Sequence, residues 1–475
     1  MLRTASPSTA HQLLYERAWL YTLAVAFVAL VPRLFVAIAW GNEPVWDGHY
    51  YHFGAERIAE GLGYSEDVVV NGQTVSKPWV HYPVGYSGFL GLIYKVFGSG
   101  LLVAPIANAL LGTLLVVLVH RLARVYVDEK RARAAAIIAA LHPGLIAYSP
   151  VLMTEPLAAL LIVAAFLAAL KLSGFTAAAV AGLILGFATL VRPSSLLCLP
   201  LLLFTMKLDW RTLLAQGSVA AVCCLAPVLP WTLRNCSVMD GCALVSTNGG
   251  WNLAIGAMTE DGRFRTLRAA DGCKVVTGQV QQDRCWAEVG RKLIARDPIG
   301  WLKKAPLKLA QTFNHESFAI EYLHEADPLS WPEQRRTAGR QLLTLFHRLL
   351  MIGAALSVIA MTGYRPKAGS AYLSQTALLL MVAGLSAYCF ADDDHPFYLL
   401  ALFTPLIAVL RLPGRPGQGP VGRCMLGWLF VTVLTHVVFF GDDRYHLVVT
   451  PALCILAAGA LRPPNQGPAP ASAAG

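Results

Sequence analysis

The sequence predicts an all-α protein that crosses a membrane many times, on three observations. Of its 475 residues, 56% are hydrophobic and only 14% are charged, whereas soluble domains carry about 25% charged residues. The mean hydropathy is +0.54. Apolar runs of the length that spans a bilayer, roughly 20 residues, recur along the chain.

These runs predict about twelve transmembrane helices. The first run follows Arg3 and Arg17 and is too long for the core of a signal peptide, so we expect it to be retained. The run at 194–206 is short and begins beside Pro193. The predicted helices lie near 18–40, 101–120, 132–152, 156–171, 174–191, 194–206, 212–231, 341–361, 371–390, 396–411, 424–440 and 446–461.

The basic residues lie in short connectors between the apolar runs, although the net charge of +10 alone would also suit a nucleic-acid-binding protein. With a cytoplasmic N-terminus, the connectors "RLARVYVDEKRAR", "MKLDWR", "GYRPK" and "RLPGRPGQGPVGR" fall on one side. This is the positive-inside pattern of membrane proteins, so we expect no nucleic-acid partner. The opposite connectors "MTEP", "ADDDHP" and "GDDRYH" carry acids and histidines.

The helix pattern divides the chain into four parts. We expect an N-terminal transmembrane module at 1–231, whose first outer loop at 41–100 carries interfacial helices, and an outer segment at 232–340. C-terminal transmembrane helices at 341–461 and a disordered cytoplasmic tail at 462–475, rich in Pro, Ala and Gly, follow.

The outer segment at 232–340 has two further features. Residues 297–313 set apolar side chains among Lys303, Lys304 and Lys308, which predicts an amphipathic helix on the membrane surface or a solvated loop helix. An even number of cysteines in an oxidising compartment predicts disulfides. Four cysteines allow three connectivities, and the local one pairs Cys236 with Cys242 and Cys273 with Cys285.

Two acids lie where apolar runs end on the outer side. Asp47 follows the first run in "WDGHYYHF", and Glu155 stands in the turn "MTEP". A carboxylate at the rim of the hydrocarbon needs a partner or a task. Together the two predict a divalent-cation site, or a general base beside a group that fixes substrate or metal. Arg192, Arg234 and Arg444 lie on the same side, against the positive-inside bias, and arginine suits phosphate.

Several motifs in order along the chain resemble the GT-C membrane glycosyltransferases, in particular the branch of family-39, protein mannosyltransferase and aminoarabinose transferase. They are "WDGHYYHFGAERIAEGLGY", "HYPVGYSGFLGLIYKVFG", "LMTEPL", "LVRPS", "PWTLRN", "STNGGWNLAIG" and "RYHLVVTP". The resemblance implies a GT-C-like fold in a bacterial inner membrane. It also implies inverting transfer of a sugar from a polyprenyl-phosphate donor to a lipid, glycan or protein hydroxyl on the periplasmic face.

The resemblance also implies roles for individual residues. Asp47 matches the general base or acceptor-orienting acid, and Glu155 matches a second acid linked to a metal, so the two are also the expected ligands of a divalent cation. The donor phosphate is assigned to His81, Tyr82, Arg192, Arg234 and Arg444, and the substrate cavity to Tyr50, His52 and Tyr445.

The sequence departs from the family pattern at two places. Tyr82 stands where some aminoarabinose-type relatives have lysine, so the phosphate contact is expected to shift to His81, Lys77 or an arginine. Gly48 follows Asp47, where many protein mannosyltransferases have a second acid, which weakens protein as the acceptor. Two other functions remain open: a secondary transporter and a non-catalytic subunit of a glycan-assembly complex.

Overall fold

The computed structural model describes residues 7–206, 209–274, 278–360, 370–410 and 420–459. The predicted tail at 462–475, the connector "GYRPK" and most of "RLPGRPGQGPVGR" lie outside the described residues. The first half of the chain forms α1 (Pro7–Ala39), α2 (Asp47–Ala59), β1 (Ser65–Val70), β2 (Gln73–Pro78), α3 (Val84–Phe97), α4 (Val103–Tyr126), α5 (Glu129–Ala140), α6 (Pro143–Ala147), α7 (Glu155–Lys171), α8 (Gly174–Val191), a 3-10 helix (Pro193–Thr205) and α9 (Trp210–Val238).

The second half is also helical. It forms α10 (Gly249–Met258), a 3-10 turn (Ala269–Asp271), α11 (Gln279–Arg296), α12 (Pro298–Lys303), α13 (Ala305–Phe313), α14 (Phe318–Ala326), α15 (Glu333–Ala360), α16 (Ser370–Ala391), α17 (Tyr398–Leu410), α18 (Pro420–Val438), a 3-10 helix (Tyr445–Val448) and α19 (Thr450–Gly459).

Within the described ranges, five helices are long and apolar enough to cross a membrane. They are Trp19–Ala39, Val103–Tyr126, Gly174–Val191, Trp210–Val238 and Val421–Val438. Shorter apolar helices occur at Val84–Phe97, Pro193–Thr205, Leu379–Ala391 and Thr450–Gly459. The structure thus supports a multi-pass membrane protein, while the number of twelve spans stays a prediction.

Proline accounts for two differences between the predicted and observed helices. The helix predicted at 132–152 is instead α5 and α6, because Pro143 has no N–H to donate and its ring clashes with a continuing helix. The ring of His142 caps α6, its Nδ1 accepting the backbone N–H of Leu145 at 3.2 Å. The run predicted as a helix at 194–206 is a 3-10 helix with Pro193 at its start and Pro200 inside.

The first outer loop contains a β-hairpin that the predicted interfacial helices omit. β1 pairs antiparallel with β2, and Val70 lies opposite Gln73. The two turn residues Asn71 and Gly72 both have positive φ, 51° and 78°. Asn-Gly is the favoured pair for such a two-residue hairpin turn, so this element could have been predicted.

The outer segment folds from short helices held by disulfides. Cys236 bonds to Cys242 and Cys273 to Cys285, which is the local connectivity. The prediction of a single amphipathic helix at 297–313 is wrong, because α12 ends at Lys303 and α13 begins at Ala305, with Pro306 in its first turn. Lys308 is buried rather than solvated, and its Nζ donates to the carbonyls of Val437 and Val438.

Candidate active site

One cavity of about 350 Å³ gathers residues that lie far apart in the sequence. Its lining includes both predicted acids, Asp47 and Glu155, together with Arg192 and Arg444. These residues come from the start of α2, the start of α7, the end of α8 and the turn after α18. The two acids therefore share one cavity, as the sequence predicts.

Asp47 is the first residue of α2, where the positive end of the helix dipole stabilises a negative side chain. The preceding Trp46 has a φ of 50°, a conformation uncommon outside glycine. Its ring packs against Phe318 and Tyr322, which offsets that strain. A side chain at position 48 would collide with the Tyr322 hydroxyl, so glycine is needed there.

The Asp47 carboxylate is held by two donors. Arg444 donates from Nη1 to Oδ2 at 2.7 Å, and the Tyr82 hydroxyl donates to Oδ1 at 2.7 Å. Burial raises the pKa of Asp47, but Arg444 and then Tyr82 more than offset this effect and hold the pKa below its usual value. Asp47 is therefore an ionised, weakly basic carboxylate in this state.

Glu155 is the first residue of α7 and is only 1% exposed. Arg192 donates from Nη1 to Oε1 at 2.6 Å, and the Thr154 hydroxyl donates to Oε2 at 3.3 Å. A buried carboxylate of this kind is stable only with such a partner. Glu155 thus fixes the position of Arg192 at the cavity wall.

The Tyr445 ring contacts both arginines of the cavity. The Arg192 guanidinium is 4.8 Å from the ring centroid and that of Arg444 is 5.1 Å from it. Cation–π attraction holds each guanidinium against the ring. Phe318 contacts Arg444 in the same way, at 4.9 Å.

The structure brings some of the other predicted site residues to the cavity. His81, Tyr82 and Tyr445 line it. Burial lowers the pKa of His81, although Asp47 opposes this shift. Tyr50 is not among the lining residues, but its ring packs on that of Tyr82, 5.5 Å between centroids.

Three predicted residues have contacts elsewhere. His52 hydrogen-bonds through Nδ1 to the Tyr94 hydroxyl at 2.7 Å. Arg234 donates to the backbone carbonyls of Tyr64 and Trp79, at 2.7 and 3.2 Å, so it fastens the hairpin to the end of α9. Lys77, the alternative phosphate ligand, is exposed on β2. Their binding roles stay predictions, and none of the three lines the cavity.

Sequence reasoning did not single out four residues from two stretches that reach the site. Asn248, Trp251 and Asn252 line the cavity and belong to the quoted motif "STNGGWNLAIG". Asp442 accepts the backbone N–H of Arg444 at 3.1 Å, and burial raises the pKa of Asp442 to about 7. The signal for Asp442 was its place beside Arg444 in "GDDRYH".

Asp47 and Glu155 are a poor fit for the divalent cation expected between them. Each of their four carboxylate oxygens accepts a hydrogen bond from a protein donor. Arg444 and Arg192 also balance the two negative charges. A cation bound between the two acids would have to displace an arginine from its carboxylate.

Comparison with known proteins agrees with the resemblance drawn from the sequence. Residues 81–232 match the family described as dolichyl-phosphate-mannose-protein mannosyltransferase. The match includes His81, Tyr82, Glu155 and Arg192, and it confirms the predicted resemblance over just under a third of the chain. No curated protein matches the sequence.

Solved structures show weaker similarity. Archaeal oligosaccharyltransferase AglB from Archaeoglobus fulgidus, in complex with an inhibitory peptide and a dolichol-phosphate, has 15% identity and a TM-score of 0.46 over 94% of this chain and 50% of its own. ArnT from Cupriavidus metallidurans, bound to undecaprenyl phosphate, has 14% identity and a TM-score of 0.36 over 94% and 78%. Arabinosyltransferase EmbB from Mycobacterium smegmatis has 14% identity and a TM-score of 0.32 over 86% and 41%. The chain spans about half the length of AglB.

Proposed function

We propose that this chain, which carries the mannosyltransferase-family match at 81–232, is a membrane glycosyltransferase using a polyprenyl-phosphate-linked sugar. One observation carries the proposal. Two carboxylates and two arginines from four separate elements converge on one cavity. Such a site supplies a base for a hydroxyl and donors for a phosphate, the two functions that this transfer needs.

The arginines are arranged to receive the donor phosphate. Within the described residues, Arg192 uses Nη1 for Glu155 and Thr154, which leaves its other two nitrogens for a ligand. The Nε of Arg444 makes no hydrogen bond in the described part of the chain, and its neighbour is the Asp442 carboxylate, whose Oδ2 is 3.8 Å away. Guanidinium groups bind phosphate through paired donors, so the free N–H groups of Arg192 and the charge of Arg444 support phosphate binding in the cavity.

Asp47 is the proposed general base. The phosphate of the donor shares Arg444 with Asp47, and the weaker contact makes the carboxylate more basic because burial then contributes more to its pKa. The acceptor hydroxyl gives its proton to Asp47 while its oxygen bonds to the anomeric carbon. The bond from that carbon to the phosphate oxygen breaks, and the electron pair leaves on the phosphate. This single displacement inverts the anomeric centre.

The disulfides support an outward-facing site. The segment between Cys236 and Cys285 contains both disulfides and also Asn248 and Trp251, which line the cavity. Disulfides persist in oxidising compartments. We therefore assign the cavity to the periplasmic face of a bacterial inner membrane, with a lipid, glycan or protein hydroxyl as acceptor.

The test is sugar transfer in membranes that contain the full chain. A panel of labelled polyprenyl-phosphate sugars is supplied, and the label is traced to lipid, glycan and protein fractions. At least one donor should give transfer that depends on the chain. Asp47→Asn should then lower turnover by about 10²- to 10⁴-fold, the contribution of general base catalysis.

The matched control is Glu288→Gln, which removes an acid from the exposed face of α11. It should leave transfer unchanged. Transfer by Asp47→Asn at the rate of the unaltered chain would refute the assigned base. No transfer from any donor by the unaltered chain would refute the enzyme proposal itself.

A further inference from the structure

A second polar cluster lies outside the cavity. Glu316, His347 and His446 are 1%, 0% and 0% exposed. One ligand atom from each lies within 4.8 Å of those from the others. They come from the loop after α13, from the middle of α15 and from the 3-10 helix before α19. The proposed transfer reaction uses none of the three.

Hydrogen bonds fix which ring nitrogens are free. His347 contacts the carbonyl of Phe313 through Nε2 at 3.0 Å, and His446 contacts that of Thr312 through Nδ1 at 2.7 Å. A carbonyl accepts only from N–H, so these nitrogens carry the protons of the neutral rings. The lone pairs are then on Nδ1 of His347 and Nε2 of His446. Metal-binding histidines are oriented by the same kind of backbone contact.

The free atoms of the cluster lack partners. Both carboxylate oxygens of Glu316, Nδ1 of His347 and Nε2 of His446 are buried without a hydrogen bond in the described part of the chain. The distance from Glu316 Oε2 to His446 Nε2, 3.7 Å, is too long for a hydrogen bond. Burying a carboxylate in this way is costly unless a cation or a strong donor satisfies it.

A third histidine, His142, lies beside the cluster and helps to define the number of ligands. His142 also has an unpartnered Nε2 among the described residues. Its Nδ1 accepts the N–H of Leu145 at 3.2 Å, so in the neutral ring the proton is on Nε2. His142 is therefore a donor beside the cluster, and the ligands are two imidazoles and one carboxylate.

The geometry points to a divalent transition-metal site formed by Glu316, His347 and His446, with Zn²⁺ the best match. Zn²⁺ takes imidazole nitrogen and carboxylate oxygen at about 2.0–2.2 Å, so the ligand atoms must draw closer than in the present arrangement. The rings of His347 and His446 stack with 3.8 Å between centroids and 25° between planes. Binding must tilt them apart until both lone pairs point at the ion.

The site would position a part of the proposed active site. His446 follows Arg444 by two residues, on the same turn. The Asp443 carboxylate already accepts the backbone N–H groups of Ser317 and Phe318, the latter at 2.8 Å. An ion joining Glu316, His446 and His347 would fasten this turn to α15 as well. Its role is structural and is separate from the transfer chemistry.

The test is metal binding by the full chain in detergent, without an activity readout. The protein is stripped with a chelator, loaded with Zn²⁺ alone, and its zinc content and affinity are measured. We expect one ion per chain. Glu316→Gln, His347→Gln and His446→Gln should each weaken binding by at least the roughly 10- to 100-fold that substitutions around a metal site cost.

Asp47→Asn and Glu155→Gln are the matched controls and should keep the ion. An unaltered chain that takes up no zinc would overturn the inference and leave a buried His446–Glu316 ion pair in its place. Zinc lost in the controls but kept in the three variants would place the metal in the cavity instead. If the variants do not fold, Co²⁺ loading of the unaltered chain decides: intense visible absorption indicates low coordination, and a weak six-coordinate spectrum refutes the site.

Discussion

The contact between Asp47 and Arg444 gives a prediction that combines stability with the state of the proposed base. The two side chains are 24% and 15% exposed, and their closest atoms are 2.7 Å apart. With charge centres about 4 Å apart and an effective dielectric constant of about 20, their attraction is about 4 kcal/mol. Removing one partner leaves the other charge buried, at a cost of about 3–5 kcal/mol.

A double-mutant cycle measures this coupling. Asp47→Asn and Arg444→Gln should each lower the free energy of unfolding, and the double variant should lose about 2–4 kcal/mol less than the sum of the two. Unfolding is followed by tryptophan fluorescence during SDS titration in mixed micelles. The control cycle uses Glu288 and Lys292, an exposed pair, whose coupling should stay below about 0.5 kcal/mol.

The pH dependence of the free energy of unfolding should change sign between the unaltered chain and Arg444→Gln. In the unaltered chain the pKa of Asp47 is lowered, so its stabilising contribution is present above the unfolded value, about 3.9, and is lost as the pH falls through the folded value. In Arg444→Gln burial dominates and raises that pKa, so lowering the pH from neutral towards 4 should stabilise the variant. The reasoning would be refuted if the losses in unfolding free energy were additive, with coupling below about 0.5 kcal/mol, and if both proteins showed the same slope of that free energy against pH.

Three other changes test the remaining contacts. Arg192→Gln should raise the KM for the sugar donor at least 10-fold through a lost charge-assisted phosphate contact, whereas Arg234→Gln should destabilise the fold and leave the KM unchanged; the reverse result in steady-state kinetics would reassign the phosphate ligand. Cys242→Ser or Cys285→Ser should lower the free energy of unfolding by about 2–3 kcal/mol, as expected for short closed loops. If thiol counting found all ten cysteines of the unaltered protein free, both disulfides would be contradicted. Burial lowers the pKa of Lys308 from 10.5 to about 8, so the unfolded chain binds the extra proton between these values and stability should rise with pH across that window; Lys308→Met should abolish the rise, and identical pH profiles would refute it.

The acids of the site could be predicted from the sequence because their positions are locally unusual. Asp47 and Glu155 each end an apolar run at the membrane rim, where an unpaired carboxylate is costly. The choice of partner could not be predicted in the same way. Arg444 is 397 residues from Asp47, and the sequence around a basic residue at an interface does not indicate which way its side chain points. The sequence predicts a phosphate ligand at Arg234 on equal grounds, and the side chain of Arg234 bonds to backbone carbonyls.

Local signals explain the errors in the fold. Pro143 marks the break between α5 and α6, and the pair Asn71 and Gly72 marks the hairpin. Both signals are local, and in the folded chain they outweigh the apolar run at 132–152 and the helical pattern of the first outer loop. The cluster of Glu316, His347 and His446 has no such signal, because it joins residues from three elements without regular spacing.

The placement of Arg444 also explains how binding and proton transfer can be linked. Before the donor binds, the guanidinium neutralises Asp47, which offsets the cost of burying that carboxylate. During transfer, negative charge leaves Asp47 as it accepts the proton and accumulates on the departing phosphate. Because one guanidinium contacts both groups, it stays close to the negative charge as that charge passes from Asp47 to the phosphate. Its interaction is therefore stronger in the transition state than in the free site, which is the requirement for catalysis. Lysine at 444 keeps the charge but lacks the planar set of donors that can bridge two anions, so Arg444→Lys should reduce kcat more than it raises the KM for the donor. An increase in KM alone in steady-state assays would instead limit Arg444 to holding the substrate.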